Sequence, residues 1–106
     1  MILSTTPTIE GRAICRYLGV VSGDIVLGAN VIRDLAAAFT DFFGGRSNSY
    51  EKVFADGREI ALAELQKQAE LLGANAVVGI DFDYEVLGAK GSMMLISATG
   101  TAVVVE

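Results

Sequence analysis

The chain has 106 residues, of which 52% are hydrophobic and 20% charged, and its formal net charge is −5. This length predicts one domain, residues 1–106, and the acidic balance argues against nucleic acid and anionic membranes as partners, because both require a basic patch. With no histidine and one cysteine, Cys15, one chain cannot provide a Ser-His or Cys-His nucleophile pair, a typical zinc site or an internal disulfide. We therefore expect a protein that is not an enzyme.

Two features of the chain bear on its compartment. No apolar run approaches the roughly 20 residues needed to span a bilayer, and the first residues, MILSTTPTIEG, lack the basic and apolar regions of a signal peptide. A single cysteine also fits a reducing environment. These observations predict a cytoplasmic protein. Its apolar surplus predicts either a sheet covered on both faces or apolar surface buried between subunits.

The first predicted elements are a strand and a helix. Residues 13–27 combine β-branched and aromatic residues with glycines, which predicts a strand with a bend near Gly19 or Gly23. Asn30 is a plausible N-cap for a helix over Val31–Phe43, which carries apolar residues at helical spacing. The glycine pair that follows ends this helix, because glycine accepts the left-handed conformation common after a C-cap.

A second helix is predicted from Asn48, which can cap it, with Glu51 three residues later in a capping-box position. Helical spacing of apolar residues continues to Leu72, and Gly73 ends the helix. Gly57 lies inside this pattern and costs about 1 kcal/mol relative to alanine, so it marks either a break or a close contact. We favour the contact, because the periodicity continues through it.

The last two predicted elements form an antiparallel hairpin. From Ala76 to Val86 the period changes to two, the sequence LGAKGS turns the chain, and Met93–Val105 is the final strand. The alternation predicts one apolar face covered by helices, formed on the first strand by Ala76, Val78, Ile80, Phe82, Tyr84 and Val86. The opposite face is expected to be acidic and hydroxyl-bearing, with Asp81, Asp83 and Glu85 beside Ser97, Thr99 and Thr101.

The sequence GGRSNS, just before the second helix, has two interpretations. It could bind an anion, or a carboxylate of another subunit, through Arg46, Ser47 and Asn48, since glycines admit a ligand and a helix N-terminus attracts negative charge. The alternative, which we favour, is a turn with a capping residue, because the full phosphate-loop pattern is missing.

Four further residues are candidate metal ligands. Asp81, Asp83 and Glu85 could bind a hard cation, but neighbours on one strand face repeat every ~6.6 Å, so a solvated polar surface is the favoured interpretation. A neighbouring chain could complete a site. Cys15 lies in an apolar stretch and is expected to be a small core residue, with a reactive or metal-binding thiol as the alternative.

Several stretches, taken together and in order, resemble the YbjQ-like family, small bacterial and archaeal proteins labelled "putative heavy-metal-binding". The resemblance covers about Ile2 to Val105, and the stretches that carry it are Gly44-Gly45-Arg46-Ser47, Tyr50-Glu51, Leu72 to Gly79, Asp81, Asp83-Tyr84-Glu85, Gly91-Ser92-Met93 and Gly100-Thr101-Ala102. It implies a two-layer α+β subunit with dodecin-like topology. In this fold about three antiparallel strands, with short extra strands, are covered by two helices.

The resemblance also implies a homopentameric ring. We therefore expect a non-enzymatic binding or scaffold protein whose partner is itself, with no cofactor. The alternatives are a metal ion held between subunits, or a small-molecule pocket there, for example for a flavin by analogy of fold alone. Soft metals prefer thiolate and imidazole, which fits this chain poorly. Ile2–Ser4 and Thr101–Val105 are the segments expected to join neighbouring subunits.

Overall fold

The computed structural model describes residues 1–28, 46–88 and 93–106, with the backbone alone for 46–50. The elements are β1 (Ile2–Leu3), β2 (Ile14–Gly28), α1 (Arg46–Leu71), β3 (Ala76–Leu87) and β4 (Met93–Val105). The predicted helix over Val31–Phe43 and most of the predicted LGAKGS turn lie outside the described residues. None of the helices in the described ranges is long and apolar enough to cross a membrane.

The four strands form one mixed sheet in the order β1-β3-β4-β2. β4 pairs antiparallel with both β2 and β3, while the short β1 pairs parallel with β3. The predicted antiparallel core of three strands and a short extra strand are confirmed. However, Thr101 is paired with Val20 on one side and Val78 on the other. The expectation that Thr101–Val105 joins neighbouring subunits is therefore wrong, because β4 occupies the middle of the sheet.

β2 is irregular near its start. Its register with β4 shifts between Ile14 and Arg16 and again between Tyr17 and Gly19. Gly19 has a φ of +125°, a conformation that favours glycine. The predicted bend is thus confirmed at Gly19, and Gly23 has a different role in the contact with the helix.

A bulge in β3 changes which of its side chains face the helix. The register with β4 shifts between Val78 and Asp81, and Gly79 has a φ of +63°. A bulge inserts one extra residue, so the strict alternation is interrupted there. Val77 and Ile80 pack in the helix-side core, whereas Ala76 and Val78 belong to a separate cluster. The prediction that Ala76 and Val78 share one face with Ile80 is therefore wrong.

The main core lies between α1 and the sheet. Gly57 of α1 is buried, and a Cβ built there would lie 2.5 Å from Cδ1 of Ile96 on β4. The predicted close contact at Gly57 is confirmed. Within the described ranges the largest fully buried side chains, nearly all of them in this core, are Val21, Val53, Leu65, Val77, Ile96 and Val103.

A smaller cluster of apolar side chains surrounds Val103 and Val105 near the end of β4, beneath the N-terminal segment. Asn75, which precedes β3, fixes this end of the sheet. Its side-chain Nδ2 donates to the Val105 carbonyl oxygen and its Oδ1 accepts from the Val105 N–H, both at 2.8 Å. One side chain thus satisfies both backbone groups of Val105, the last residue of β4.

The bounds of α1 correct one prediction and confirm another. The helix begins at Arg46, so Asn48 lies inside its first turn and does not precede it as an N-cap. The predicted end holds to within one residue, since α1 ends at Leu71 and Gly73 has a φ of +86°. On the exposed surface, the hydrogen bond from Lys52 to Asp56, at 2.7 Å, raises the pKa of Lys52.

The closest approach of α1 to the sheet is at Gly23 of β2. A Cβ at this position would lie 2.0 Å from the carbonyl oxygen of Ala61 and 2.7 Å from the amide nitrogen of Leu65. Backbone atoms cannot move aside as a flexible side chain can. We predict that Gly23→Ala lowers the free energy of unfolding by about 3 kcal/mol or prevents folding.

The matched control is Gly28→Ala, on the same strand, where an added Cβ would have no heavy atom within 4 Å. Urea unfolding followed by circular dichroism measures both variants. Equal stabilities of the two variants would show that α1 does not rest on the backbone of β2.

Candidate functional site

The face of the sheet turned away from α1 carries the polar residues of the three long strands. We call it the open face. In one row across the strands lie Asp83, Ser97 and Asp24, and in the next row lie Asp81, Thr99 and Ser22. The predicted acidic and hydroxyl-bearing face is confirmed for Asp81 beside Thr99 and for Asp83 beside Ser97, whereas Glu85 pairs with Leu95 and Thr101 with Val78. Asp24, from β2, adds a carboxylate that the sequence did not point to.

The carboxylates of the open face are spread out rather than gathered. Residues on one strand face repeat every ~6.6 Å, and Asp24 and Asp83 are two strand spacings apart, roughly 9.6 Å at the backbone. The Ser97 hydroxyl donates to Oδ1 of Asp24 at 2.5 Å. Within the described ranges no three Asp, Glu or Cys side chains are close enough to hold one metal ion. A compact site would therefore need further ligands, from a second chain or from residues outside these ranges.

The charge of the open face has one sign. β3 and β4 contain no lysine or arginine, and on β2 the residues of this face around Asp24 are Val20, Ser22 and Val26. With Asp81, Asp83 and Glu85 also exposed, this surface attracts cations and repels polyanions.

The part of the open face formed by β2 is also apolar. Tyr17, Val20 and Val26 are 72%, 80% and 54% exposed. In the described part of the chain, β4 is the only strand paired with β2, and outside this pairing the Ser22 N–H donates to Oε1 of Gln68 at 3.1 Å. A strand of 15 residues with one unpaired side and exposed apolar residues is a surface that proteins normally cover or pair.

Cys15 lies at the first irregularity of β2, between the paired residues Ile14 and Arg16. Its side chain is exposed, with Sγ 3.7 Å from the carbonyl oxygen of Ala13. The expectation that Cys15 is a core residue is therefore wrong, because the register shift takes it out of the regular alternation. Its role as a metal ligand or reactive thiol stays a prediction.

Both the sequence and the fold of this chain are similar to those of known proteins. The model of the YbjQ family, described as "putative heavy-metal-binding", matches residues 1–106. The chain belongs to this family. A crystal structure of a protein of unknown function from Pediococcus pentosaceus, which belongs to the DUF74 family, is similar with a TM-score of 0.60 and 21% sequence identity. The match covers 100% of this chain and 98% of that one, and at this identity it shows a shared fold.

Two features of the site region escaped the sequence reasoning. The sequence places Asp24 in a predicted strand but does not show that this strand lies beside β4. The neighbourhood of Asp24 and Ser97 therefore could not be predicted. Asn75 lies within the LGANAVVG stretch, but the sequence does not indicate that its side chain bonds both backbone groups of Val105. The signal in the sequence is the position of Asn75, a polar residue between the helix-ending Gly73 and the buried start of β3.

The predicted cluster of Arg46, Ser47 and Asn48 coincides with the start of α1, and its side chains lie outside the described residues. A guanidinium at this position is repelled by the positive end of the helix dipole. We therefore expect Arg46 to pair with a carboxylate, on its own chain or on a neighbour. Arg46→Ala should lower the free energy of unfolding by about 1 kcal/mol or more, or loosen the oligomer.

Lys67→Ala, an exposed position in the C-terminal half of the same helix, removes an equal charge and serves as the control. Thermal melts and light scattering are measured for both. A wild-type mass and melting temperature for Arg46→Ala would refute the predicted role.

Proposed function

We propose that this protein is a non-enzymatic, homo-oligomeric binding protein of the cytoplasm, whose subunits join edge to edge in a closed ring. The observation that carries the proposal is the exposed edge of β2, with its apolar residues and its pairing on one side. The number of subunits, five, comes from the resemblance to the YbjQ-like family. The absence of histidine supports a binding role rather than hydrolytic or proton-transfer chemistry.

The joining segments are proposed to be β2 and the N-terminal strand. On the side of the sheet opposite β2, β1 and the residues after it run beside β3. The Ser4 carbonyl accepts from the Ile80 N–H and the Thr6 carbonyl accepts from the Gly79 N–H. This N-terminal segment thus forms the other edge of the sheet beside residues 76–80 of β3. Two different edges that pair head to tail give a heterologous contact, which closes into a ring when the rotation suits.

Charge also favours edge pairing over stacking of two open faces. Face-to-face stacking would bring Asp24, Asp81, Asp83 and Glu85 of one copy against carboxylates of the other. Like charges without counter-ions oppose such a contact. Edge pairing leaves these carboxylates on a solvated surface while it satisfies the free backbone groups of β2.

We predict that gel filtration with light scattering at micromolar concentration gives a mass of about five times 11.1 kDa. Val20→Lys should weaken association by about tenfold or more, since it places a flexible charge within the proposed contact. Leu71→Lys is the matched control, because Leu71 is 83% exposed but lies at the end of α1 and not on β2.

A monodisperse species of 11.1 kDa that unfolds cooperatively would refute the ring. Equal loss of association in Val20→Lys and Leu71→Lys would leave the oligomer but refute β2 as its contact.

A second candidate function is the binding of a hard divalent cation between subunits. It is favoured by the concentration of carboxylates and the lack of basic strand residues on the open face. The family description also names metal binding, although of heavy metals. Oxygen ligands suit calcium, magnesium or manganese better than soft metals. In the described part of one copy these carboxylates are too far apart for one ion, and we propose that a neighbouring copy completes the coordination.

We predict that the oligomer retains calcium or manganese after dialysis, and that the double variant Asp81→Asn, Asp83→Asn loses it. Glu59→Gln with Glu64→Gln, two exposed positions of α1, removes the same charge elsewhere and should keep the metal. Elemental analysis by mass spectrometry gives the metal content per chain. Failure of the wild-type protein to retain any metal, including zinc and copper, would eliminate this function.

A further inference from the structure

On the helix side of the sheet, opposite the open face, lies a cleft of about 370 Å³. Among the described residues, its lining is formed by Phe54 and Arg58 of α1, Tyr84 of β3 and Met94 of β4. Phe54 and Arg58 are four residues apart, so they project from the same side of the helix. Tyr84 lies opposite Ile96 in the strand pairing and remains 46% exposed, at the mouth of the cleft.

The side chains of this cleft already contact one another. The rings of Phe54 and Tyr84 are 6.4 Å apart and nearly perpendicular, at 87°. Nη1 of Arg58 donates to the Tyr84 hydroxyl oxygen at 3.3 Å. Since the hydroxyl accepts this bond, its own hydrogen is free to be donated to a ligand. The cleft therefore has aromatic and thioether walls and two polar donors at one position.

We propose that this cleft binds a small aromatic carboxylate. The carboxylate would accept hydrogen bonds from the Arg58 guanidinium, which suits planar, bidentate recognition, and from the Tyr84 hydroxyl. The ring would pack edge to face against Phe54 and Tyr84 and contact the sulfur of Met94.

The size of the cleft limits its occupant. Ligand pockets range from roughly 300 to 1,000 Å³, so 370 Å³ is enough for a single substituted ring. The charge of the cleft also favours an anionic ligand such as a carboxylate. The described part of the cleft has one cationic side chain and no acidic one, in a chain whose net charge is −5.

The test uses benzoate as the probe and benzamide as its neutral counterpart, titrated into the full-length protein and followed by ¹H–¹³C NMR of methionine methyl and aromatic groups. We expect saturable shifts of Phe54, Tyr84 and Met94 with benzoate, and at least tenfold weaker binding of benzamide. Arg58→Gln should weaken benzoate binding by about tenfold to a hundredfold, because it removes a charged hydrogen bond. Tyr84→Phe should weaken it by less.

Lys67→Gln is the matched control, since it removes the same charge from an exposed site on α1 and should bind benzoate as the wild-type protein does. Thermal melts show whether Arg58→Gln is folded, and the benzamide comparison needs no variant. Equal affinity for benzoate and benzamide, equal loss of binding in Lys67→Gln, or shifts only at residues outside the cleft would overturn the proposal. The oligomer mass and metal content are independent of these results.

Discussion

The structure depends on the contact between the backbone of α1 and the backbone of β2 at Gly23. Side chains normally separate a helix from the sheet that it covers, yet here a single Cβ at Gly23 would collide with the Ala61 carbonyl oxygen. On the helix, Gly57 likewise leaves room for a residue of the sheet, because a Cβ there would collide with the side chain of Ile96. The closeness of this contact fixes which face of the sheet is apolar. The polar residues of the strands are consequently directed to the opposite side, where they form the open face.

The position of β4 in the middle of the sheet separates two kinds of surface. Because β4 is paired on both sides, the free edges in the described ranges belong to β2, to the N-terminal segment and to residues 81–87 of β3. Self-association can therefore use backbone pairing without disturbing the core. The carboxylates lie on one face, and Arg58 with its aromatic neighbours lies on the other. A cation and an anionic ligand would thus be bound on opposite sides of one sheet, with little competition between them.

The sequence predicted elements well where a local signal is strong. The bounds of β4 agree at both ends, and α1 ends within one residue of the expected position, since alternation and a helix-ending glycine are local patterns. The row of Asp83 and Ser97 followed from hairpin geometry. The bulge at Gly79 was missed because Val77 and Val78 suit either face, so the pattern still looked continuous. The neighbours of β4 and the exposure of Cys15 depend on pairing between distant segments, which no local pattern encodes.

Charge connects the proposed ring with the proposed cation site. Five copies of a chain with net charge −5 repel one another, although salt screens exposed charges beyond roughly 8–10 Å. Edge pairing continues the sheet from one subunit to the next, so carboxylates from neighbouring chains would approach one another along the open face. A divalent cation shared between two chains would lower this repulsion. Its affinity for the ring would therefore be higher than its affinity for the free subunit. By mass action, such a cation stabilises the assembly it requires. Metal affinity should therefore rise with protein concentration over the range in which the ring forms, whereas a site complete within one chain would show no such dependence.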